Sequence, residues 1–247
     1  MRYFFEISYK GTAYHGWQRQ RNALSIQEVV ENALSTIFQS DIAVTGSGRT
    51  DTGVHCEQQF FHVDLEQPIE EVALMRRLNA FLPGDISIGS IRKVRDDAHA
   101  RFDAVKRKYT YRISRRKNPF LKDLCYHFYL PLDVDKMNLA ASRLLLHDDF
   151  QSFSKVKTDT FTYLCDISLA EWTEENEMLV FYVSANRFLR GMVRALVGTL
   201  LDVGQGNISL ETFDSIIASK DRKQAGRAAP PQGLFLTEVT YPKDIFI

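Results

Sequence analysis

Residues 46–55 read GSGRTDTGVH, a polar and glycine-rich run. Three glycines surround one carboxylate, Asp51, and one guanidinium, Arg49. Glycine lets the backbone turn tightly and lets another molecule approach it closely. Dense polar side chains on a loop are typical of binding and catalysis. The stretch is therefore predicted to be a functional loop centred on Asp51.

The flanks of this loop have the pattern of strands. Residues 42–44 are short and β-branched, and residues 59–64 alternate between two faces. A dinucleotide-binding loop needs G-x-G-x-x-G at the start of a helix, and a P-loop closes on G-K-[ST]; this stretch has neither pattern. The prediction is strand, loop, strand. A plain hairpin turn that Asp51 merely caps stays open as an alternative.

The elements around the loop form a first set. Ser25 is predicted to cap a helix, with Glu28 three residues later completing a capping box. Apolar residues then recur at spacings of three and four, which predicts a stripe that packs on a sheet. Further patterns predict strands over residues 2–9 and 86–94 and a helix over residues 70–81.

A second set of elements follows. Strands are predicted at residues 108–114, 166–172, 178–185 and 234–241, and helices at residues 135–146, 188–203 and 210–219. In the helix over 188–203, Arg187, Arg190 and Arg194 share a face away from the apolar stripe, and Gly204 is predicted to stop the helix. Hairpin spacing with helices on one side predicts an α+β fold with mainly antiparallel sheets. The predicted subdomains are residues 1–103 and 104–247.

Composition is that of an ordinary globular protein. The chain has 247 residues, 45% of them hydrophobic and 25% charged. Its three cysteines are far apart, which predicts neither a disulfide framework nor a C-x-x-C zinc site and favours the reducing cytoplasm. No targeting signal or membrane-spanning run is predicted. A metal site is not predicted at His15, His55, Cys56 and His62, because their spacing follows no zinc pattern.

Charge is distributed unevenly. The formal net charge of zero argues mildly against a nucleic-acid partner. Residues 106–117, however, read KRKYTYRISRRK, with seven basic residues and no acidic one. A neutral protein can thus present one basic face for phosphates. The alternative is an edge strand whose basic side chains prevent aggregation.

Six segments, taken together, resemble one family. GRTDTGVH at residues 48–55 is similar to the G-R-T-D-x-G-V-H signature of the tRNA pseudouridine synthase A family. The other segments, in the family's order, are YHGWQRQ at 14–20, NAFLPGDI at 79–86, HARF at 99–102 with RKYTY at 107–111, FLRGMVR at 188–194 and GLFL at 233–236. The resemblance covers nearly the whole chain.

The resemblance implies a fold and a reaction. The fold is two α+β subdomains whose sheets meet across a catalytic cleft. The reaction converts uridine to pseudouridine at positions 38, 39 and 40 in the anticodon stem and loop of tRNA, by a homodimer in the cytoplasm. It breaks the N1–C1′ bond and forms a C5–C1′ bond without net gain or loss of electrons, so neither a cofactor nor a metal is expected.

The resemblance also implies roles for individual residues. Asp51 is the catalytic carboxylate, which attacks C1′, attacks C6 or abstracts a C2′ proton; the residues do not decide among these. Arg194 would stabilise its charged form, with a phosphate contact or a surface ion pair as the alternative. Arg49 would hold the backbone of the flipped nucleotide or occupy its vacated place. Tyr109 would stack on the uracil and could move a proton through its hydroxyl.

Extrusion of a stacked uridine requires phosphate contacts around the site. The RNA-binding candidates are Arg19, Arg21, Arg101, Lys106, Arg107, Lys108 and Arg190. Two other functions stay open. A non-catalytic RNA-binding protein would not need Asp51, and a nucleoside or glycoside hydrolase would normally pair two carboxylates, for which no second motif is found.

Overall fold

The computed structural model describes residues 1–156 and 160–247. The strands are β1 (Arg2–Tyr9), β2 (Thr45–Gly46), β3 (His55–Asp64), β4 (Ile86–Val94), β5 (Lys106–Ser114), β6 (Tyr126–His127), β7 (Ile167–Glu175), β8 (Met178–Ala185) and β9 (Leu234–Thr240). The α-helices are α1 (Ile26–Phe38), α2 (Glu71–Phe81), α3 (Val134–Arg143), α4 (Met192–Gly204) and α5 (Leu210–Ser219).

The chain divides into two compact units. The first comprises Met1–Lys106 and Phe235–Ile247, and the second comprises Arg107–Leu234. The sequence pattern predicts a division between residues 103 and 104 and keeps the last strand in the second subdomain. In the structure the last strand belongs with the first unit, because β9 pairs in parallel with β3 through His55 opposite Phe235.

The first unit is a sheet with helices packed on it. The strand order is β4-β1-β3-β9, with β1 antiparallel to both of its neighbours and β2 paired to β3. Helix α2 packs against β4 and against α1. Phe5 and Phe61, fully buried on neighbouring strands, stack with ring centroids 4.9 Å apart.

Both helices of the first unit begin at the residues that the sequence predicts. The Ser25 hydroxyl accepts a hydrogen bond from the Glu28 amide at 3.3 Å, and the central part of the apolar stripe of α1 is buried. Glu70 caps α2 by accepting from the Ala73 amide at 2.6 Å. A cap satisfies an amide that has no partner within the helix, which fixes where the helix starts. The predicted helices are confirmed.

The second unit has the antiparallel order β5-β8-β7, with β6 parallel to β5. Helix α3 packs on β7 and on α4. Three fully buried rings, Phe150, Phe153 and Phe213, lie in contact beside these helices. Both units therefore combine mainly antiparallel strands with helices, and the predicted α+β class is confirmed. No helix among the described residues has the length and apolar character to cross a membrane.

Two local predictions are wrong. Residues 42–44 are not a strand, since the amides of Ile42 and Val44 bond to side chains of α1, the Ser35 hydroxyl and the Glu31 carboxylate. Helix α4 starts at Met192 and not at residue 188, because Gly191 is left-handed at φ 72°. The apolar periodicity continues through Leu189 and conceals this break.

The predicted stop at Gly204 is also wrong. Gly204 is the last residue of α4, and a Cβ there would lie 2.5 Å from the Met137 sulfur. The left-handed residue after the helix is Gly206, at φ 74°. Gly204 is thus needed for close packing of α4 against the start of α3, and Gly206 supplies the turn.

Candidate active site

The glycine-rich stretch is the loop of a β-hairpin. Strands β2 and β3 pair with Gly46 opposite Phe61. The Ser47 amide donates to the Phe60 carbonyl at 2.7 Å, which continues the pairing into the loop. A Cβ on Gly46 would lie 2.4 Å from the indole nitrogen of Trp17, so this glycine lets a buried tryptophan pack under the hairpin. A strand does stand on each side of the loop, as predicted, but the first is β2 and not residues 42–44.

Asp51 lies between two anchored stretches of backbone. Before it, the Thr50 carbonyl accepts from the Trp17 amide at 3.3 Å. After it, the Gly53 amide donates to the Tyr14 carbonyl at 3.2 Å, and the Val54 amide donates to the carbonyl of Asp51 at 3.1 Å. The Asp51 side chain is half-buried. Its backbone is therefore fixed on both sides, and the residue is partly exposed.

Left-handed glycines allow the segment at residues 14–17 to lie against the Asp51 loop. Gly16 has φ 82°, and a Cβ there would lie 2.2 Å from the Thr50 carbonyl oxygen. Gly53 is also left-handed, at φ 76°. By contrast, a Cβ on Gly48 would meet no atom within 4 Å. Gly16 and Gly53 therefore serve the fold of the loop, whereas Gly48 leaves open space beside it.

Buried hydroxyls hold the same region. The Tyr9 and Thr50 hydroxyls share a buried hydrogen bond of 2.8 Å. The Tyr14 hydroxyl donates to the Asp85 carboxylate at 2.7 Å. Burial, together with this bond, raises the pKa of the Tyr14 hydroxyl. Tyr14 thus stays a neutral donor, and it links the turn before β4 to the segment that contacts the Asp51 loop.

Arg49 is exposed beside Asp51, and its Nε donates to the Gln18 side-chain oxygen at 3.0 Å. Arg19, the next residue along the chain from Gln18, forms a 3.0 Å ion pair with Glu31. Glu31 is buried, with 7% of its surface exposed. Of the predicted site residues in the first unit, Asp51, Arg49 and Arg19 are thus brought near one another by the segment at residues 14–19.

Among the hydrogen bonds and ion pairs described above, none joins the other candidates of the first unit to the side chain of Asp51 or Arg49. Arg21 and Lys106 are exposed. Arg101 is exposed on the loop at residues 99–102, with its guanidinium 5.5 Å from the ring centroid of Phe102. Two imidazoles hold this loop: His62 Nδ1 accepts from the Ala100 amide and His99 Nδ1 from the Arg101 amide, each at 3.1 Å.

In the second unit, Tyr109 is half-buried on β5, and its ring meets the edge of Phe188 at 5.1 Å. Tyr111, two residues further along the same face, is fully buried and donates to the Pro230 carbonyl at 2.8 Å. Lys108 lies on the other face of the strand, with its amine 4.9 Å from the Tyr182 ring. Arg107 shares the face of Tyr109 and donates to the Asn186 carbonyl at 2.9 Å.

Arg194 lies in the first turn of α4 and is half-buried. Its Nε donates to the Ala229 carbonyl at 2.7 Å, and the Ala229 amide donates back to the Arg194 carbonyl at 2.8 Å. Arg190 is exposed in the segment before the helix and not on it, contrary to the prediction. Gly191 therefore separates the two arginines that the periodicity places on one helical face.

Sequence patterns missed the side chains that hold the site. Gln18 stands in a matched motif without a predicted role, and the sequence predicts no role for Glu31 within the helix that starts at Ser25. Their contacts join residues distant in sequence, which no local pattern reveals. Within residues 1–156 and 160–247, no group of three His, Cys, Asp or Glu side chains could hold a metal ion.

The sequence is similar to those of known proteins over nearly its full length. The family model described as tRNA pseudouridine synthase matches residues 7–103 and 140–242. The tRNA pseudouridine synthase A of Bacteroides fragilis is 49% identical over 99% of this chain and 98% of its own length. That of Bacteroides thetaiotaomicron is 48% identical over 99% of this chain and 92% of its own, and that of Porphyromonas gingivalis 46% identical over 100% and 99%. The chain belongs to the tRNA pseudouridine synthase family.

Proposed function

We propose that this protein isomerises uridine to pseudouridine in tRNA, at positions 38, 39 and 40 of the anticodon stem and loop. The observation that carries the proposal is the placement of Asp51 in the loop that bears the family signature, with anchored backbone on both sides. A half-buried carboxylate on fixed backbone suits chemistry at a sugar carbon, because a reacting group must be held in position.

In the proposed reaction Asp51 acts as the ionised carboxylate when the N1–C1′ bond breaks. The detached uracil turns, C5 bonds to C1′, the C5 proton is lost and N1 gains a proton, so atoms and electrons balance. Tyr109 supplies a ring face for the uracil and a hydroxyl that can carry the C5 proton. Its half-burial beside Phe188 supports this role, since a fully buried ring could not stack on a substrate.

Arg194 is proposed to stabilise the ionised form of Asp51. Its Nε donates to the Ala229 carbonyl, so a carboxylate would be bound by the two terminal amino groups.

The contacts with tRNA are proposed to involve further basic side chains, of which Arg49 would hold the backbone of the flipped nucleotide. Phosphates of tRNA would contact a set of basic side chains, Arg19, Arg21, Arg101, Lys106, Arg107, Lys108 and Arg190. We further propose that the protein is a homodimer, acts in the cytoplasm and requires no cofactor or metal.

The Asp51→Asn variant tests the reaction. It should bind unmodified tRNA like the wild type, because the size of the side chain and one acceptor oxygen are kept, and should form pseudouridine more than about 1,000-fold more slowly, because the negative charge is lost. Chemical mapping of pseudouridine in single-turnover reactions measures this. Asp41→Asn, at an exposed carboxylate of the same unit, is the matched control and should react at the wild-type rate.

Several outcomes would contradict the proposal. Pseudouridine formation by Asp51→Asn at the wild-type rate would remove Asp51 from the chemistry. Binding of tRNA without product by the wild type would indicate a non-catalytic RNA-binding protein. Release of free uracil would indicate a hydrolase.

Arg194→Ala tests the supporting cation. Loss of the guanidinium should make the negative charge of Asp51 less favourable in the transition state, so the single-turnover rate should fall about 100-fold while tRNA affinity stays within about twofold of the wild type. Arg194→Lys should retain part of the effect of the charge, and Lys223→Ala, at an exposed cation of the second unit, should leave the rate unchanged. A loss of affinity with an unchanged single-turnover rate at saturating enzyme would instead make Arg194 a phosphate contact.

A further inference from the structure

A chain of side-chain hydrogen bonds runs from the buried carboxylate of Glu31 to the guanidinium of Arg49. Glu31 Oε1 accepts from Gln27 Nε2 at 2.9 Å. Gln27 Oε1 accepts from Gln18 Nε2 at 2.6 Å, and Gln18 Oε1 accepts from Arg49 Nε at 3.0 Å. The two glutamines thus form a relay between a carboxylate on α1 and an arginine two residues from Asp51.

The polarity of this relay is fixed by its ends. A carboxylate can only accept hydrogen bonds and a guanidinium can only donate them, whereas each amide has one end of either kind. Glu31 therefore turns the amino group of Gln27 toward itself and the oxygen of Gln27 outward. That oxygen accepts a hydrogen bond from the amino group of Gln18, so the oxygen of Gln18 faces Arg49. The Val44 carbonyl, which accepts from Gln27 Nε2 at 3.2 Å, favours the same order.

Glu31 is itself held as an acceptor. Besides Gln27, its oxygens accept from the Arg19 guanidinium at 3.0 Å and from the Val44 amide at 3.2 Å. The Arg19 amide also donates to Gln27 Oε1 at 3.0 Å, beside the bond from Gln18. A buried carboxylate needs such donors, so its partners form one ordered unit.

The relay gives an exposed arginine a defined direction. A free arginine side chain samples many rotamers, and ordering it on binding costs free energy. Because the bond to Gln18 uses Nε, a phosphate would be bound by the two terminal amino groups in the planar fork that suits it. Position as well as charge therefore matters at Arg49.

We infer that Glu31, Gln27 and Gln18 are positioning residues, which orient Arg49 for a phosphate of the tRNA next to the target uridine. This inference rests on the proposed function, in which Arg49 contacts the nucleotide that Asp51 acts on. None of the three residues needs to touch the RNA. The relay instead reduces the entropic cost of binding by holding Arg49 in advance.

A double-mutant cycle on tRNA affinity tests the relay. Gln18→Leu keeps the side-chain size, removes both amide ends and leaves the Arg19–Glu31 ion pair in place. It should weaken binding of an unmodified tRNA transcript about fivefold, as should Arg49→Ala, and the double variant should be no weaker than Arg49→Ala alone. Gln67→Leu, at an exposed glutamine of the same unit, is the matched control and should bind like the wild type.

Glu31→Gln provides a second variant that acts at the far end of the relay. It should weaken binding less than Gln18→Leu does, because the Arg19 amide and the Val44 carbonyl still orient Gln27, and should likewise have no effect in the Arg49→Ala background. If it unfolds, Gln18→Leu alone decides the matter. Wild-type affinity of Gln18→Leu, or an equal loss with and without Arg49, would overturn the inference. Because the cycle measures binding, it can be read even if Asp51 proves not to be catalytic.

Discussion

The Asp51 loop and the start of α4 hold a functional side chain in different ways. Asp51 lies on an irregular loop whose carbonyls and amides bond to the segment at residues 14–17, far away in sequence. Arg194 lies in the first turn of a regular helix, with the segment at residues 225–230 bonded alongside it. Helical hydrogen bonds fix the backbone that carries Arg194, whereas the backbone that carries Asp51 is fixed by bonds to another segment; in both regions a distant segment lies alongside.

Glycines mark both places but for different reasons. At the Asp51 loop, Gly16 is left-handed and would also clash with the Thr50 carbonyl if it had a Cβ. On α4, Gly198 is ordinary helix, and only the Arg227 carbonyl, 1.8 Å from the position of a Cβ, excludes a side chain. The first glycine is needed for its backbone and its space, and the second for its space alone.

The largest expected effect is that of Gly16→Ala. Left-handed strain and the clash with backbone together should lower the free energy of unfolding by roughly 3 kcal/mol. Gly198→Ala should cost somewhat less, roughly 2 kcal/mol, because it adds a backbone clash without left-handed strain and alanine favours the helix. Urea denaturation of both variants measures the difference.

Gly84→Ala is the control for this pair, since a Cβ there would meet no atom within 4 Å. Its stability should match that of the wild type. Equal losses for Gly16→Ala and Gly198→Ala would break the comparison, because they would mean that backbone conformation contributes nothing at Gly16.

Acid should weaken the first unit through His62. Burial, and then the nearby charge of Arg2, lowers the pKa of His62 to about 4. The unfolded chain takes up this proton near pH 6.5, well above the folded form. Stability that is present above pH 6.5 should therefore be lost as the pH falls to about 4, by on the order of 1 to 2 kcal/mol after allowance for solvent screening.

The pH dependence can be measured by urea denaturation between pH 7 and pH 4. His62→Gln keeps a side-chain acceptor for the Ala100 amide and should flatten the curve over this range. His15→Gln, at an exposed histidine, should leave the curve as in the wild type. A loss of stability that persists in His62→Gln would assign the acid sensitivity to other groups.

The difference between the two regions also explains how much the sequence could predict. Helices α1, α2 and α5 carry their caps and periods locally, so their positions follow from a few adjacent residues. The functional loop was visible because its glycines and polar side chains are contiguous. Glu31 was not, because its burial depends on the backbone at residue 44, and the late start of α4 depends on one dihedral angle at Gly191.

The smallest expected effects come from one hydroxyl in each unit. Tyr9→Phe removes the bond to the Thr50 hydroxyl, and Tyr111→Phe removes the bond to the Pro230 carbonyl. Each should lower the free energy of unfolding by about 1 kcal/mol, the usual net contribution of a hydrogen bond.

The effects of these two variants on the single-turnover rate should differ. Backbone bonds on both sides of Asp51 persist without the Tyr9 hydroxyl, whereas the Pro230 carbonyl follows directly on Ala229, the partner of Arg194. Tyr111→Phe should therefore slow the reaction more than Tyr9→Phe, and the reverse order would show that the Asp51 loop depends on its side chains rather than its backbone.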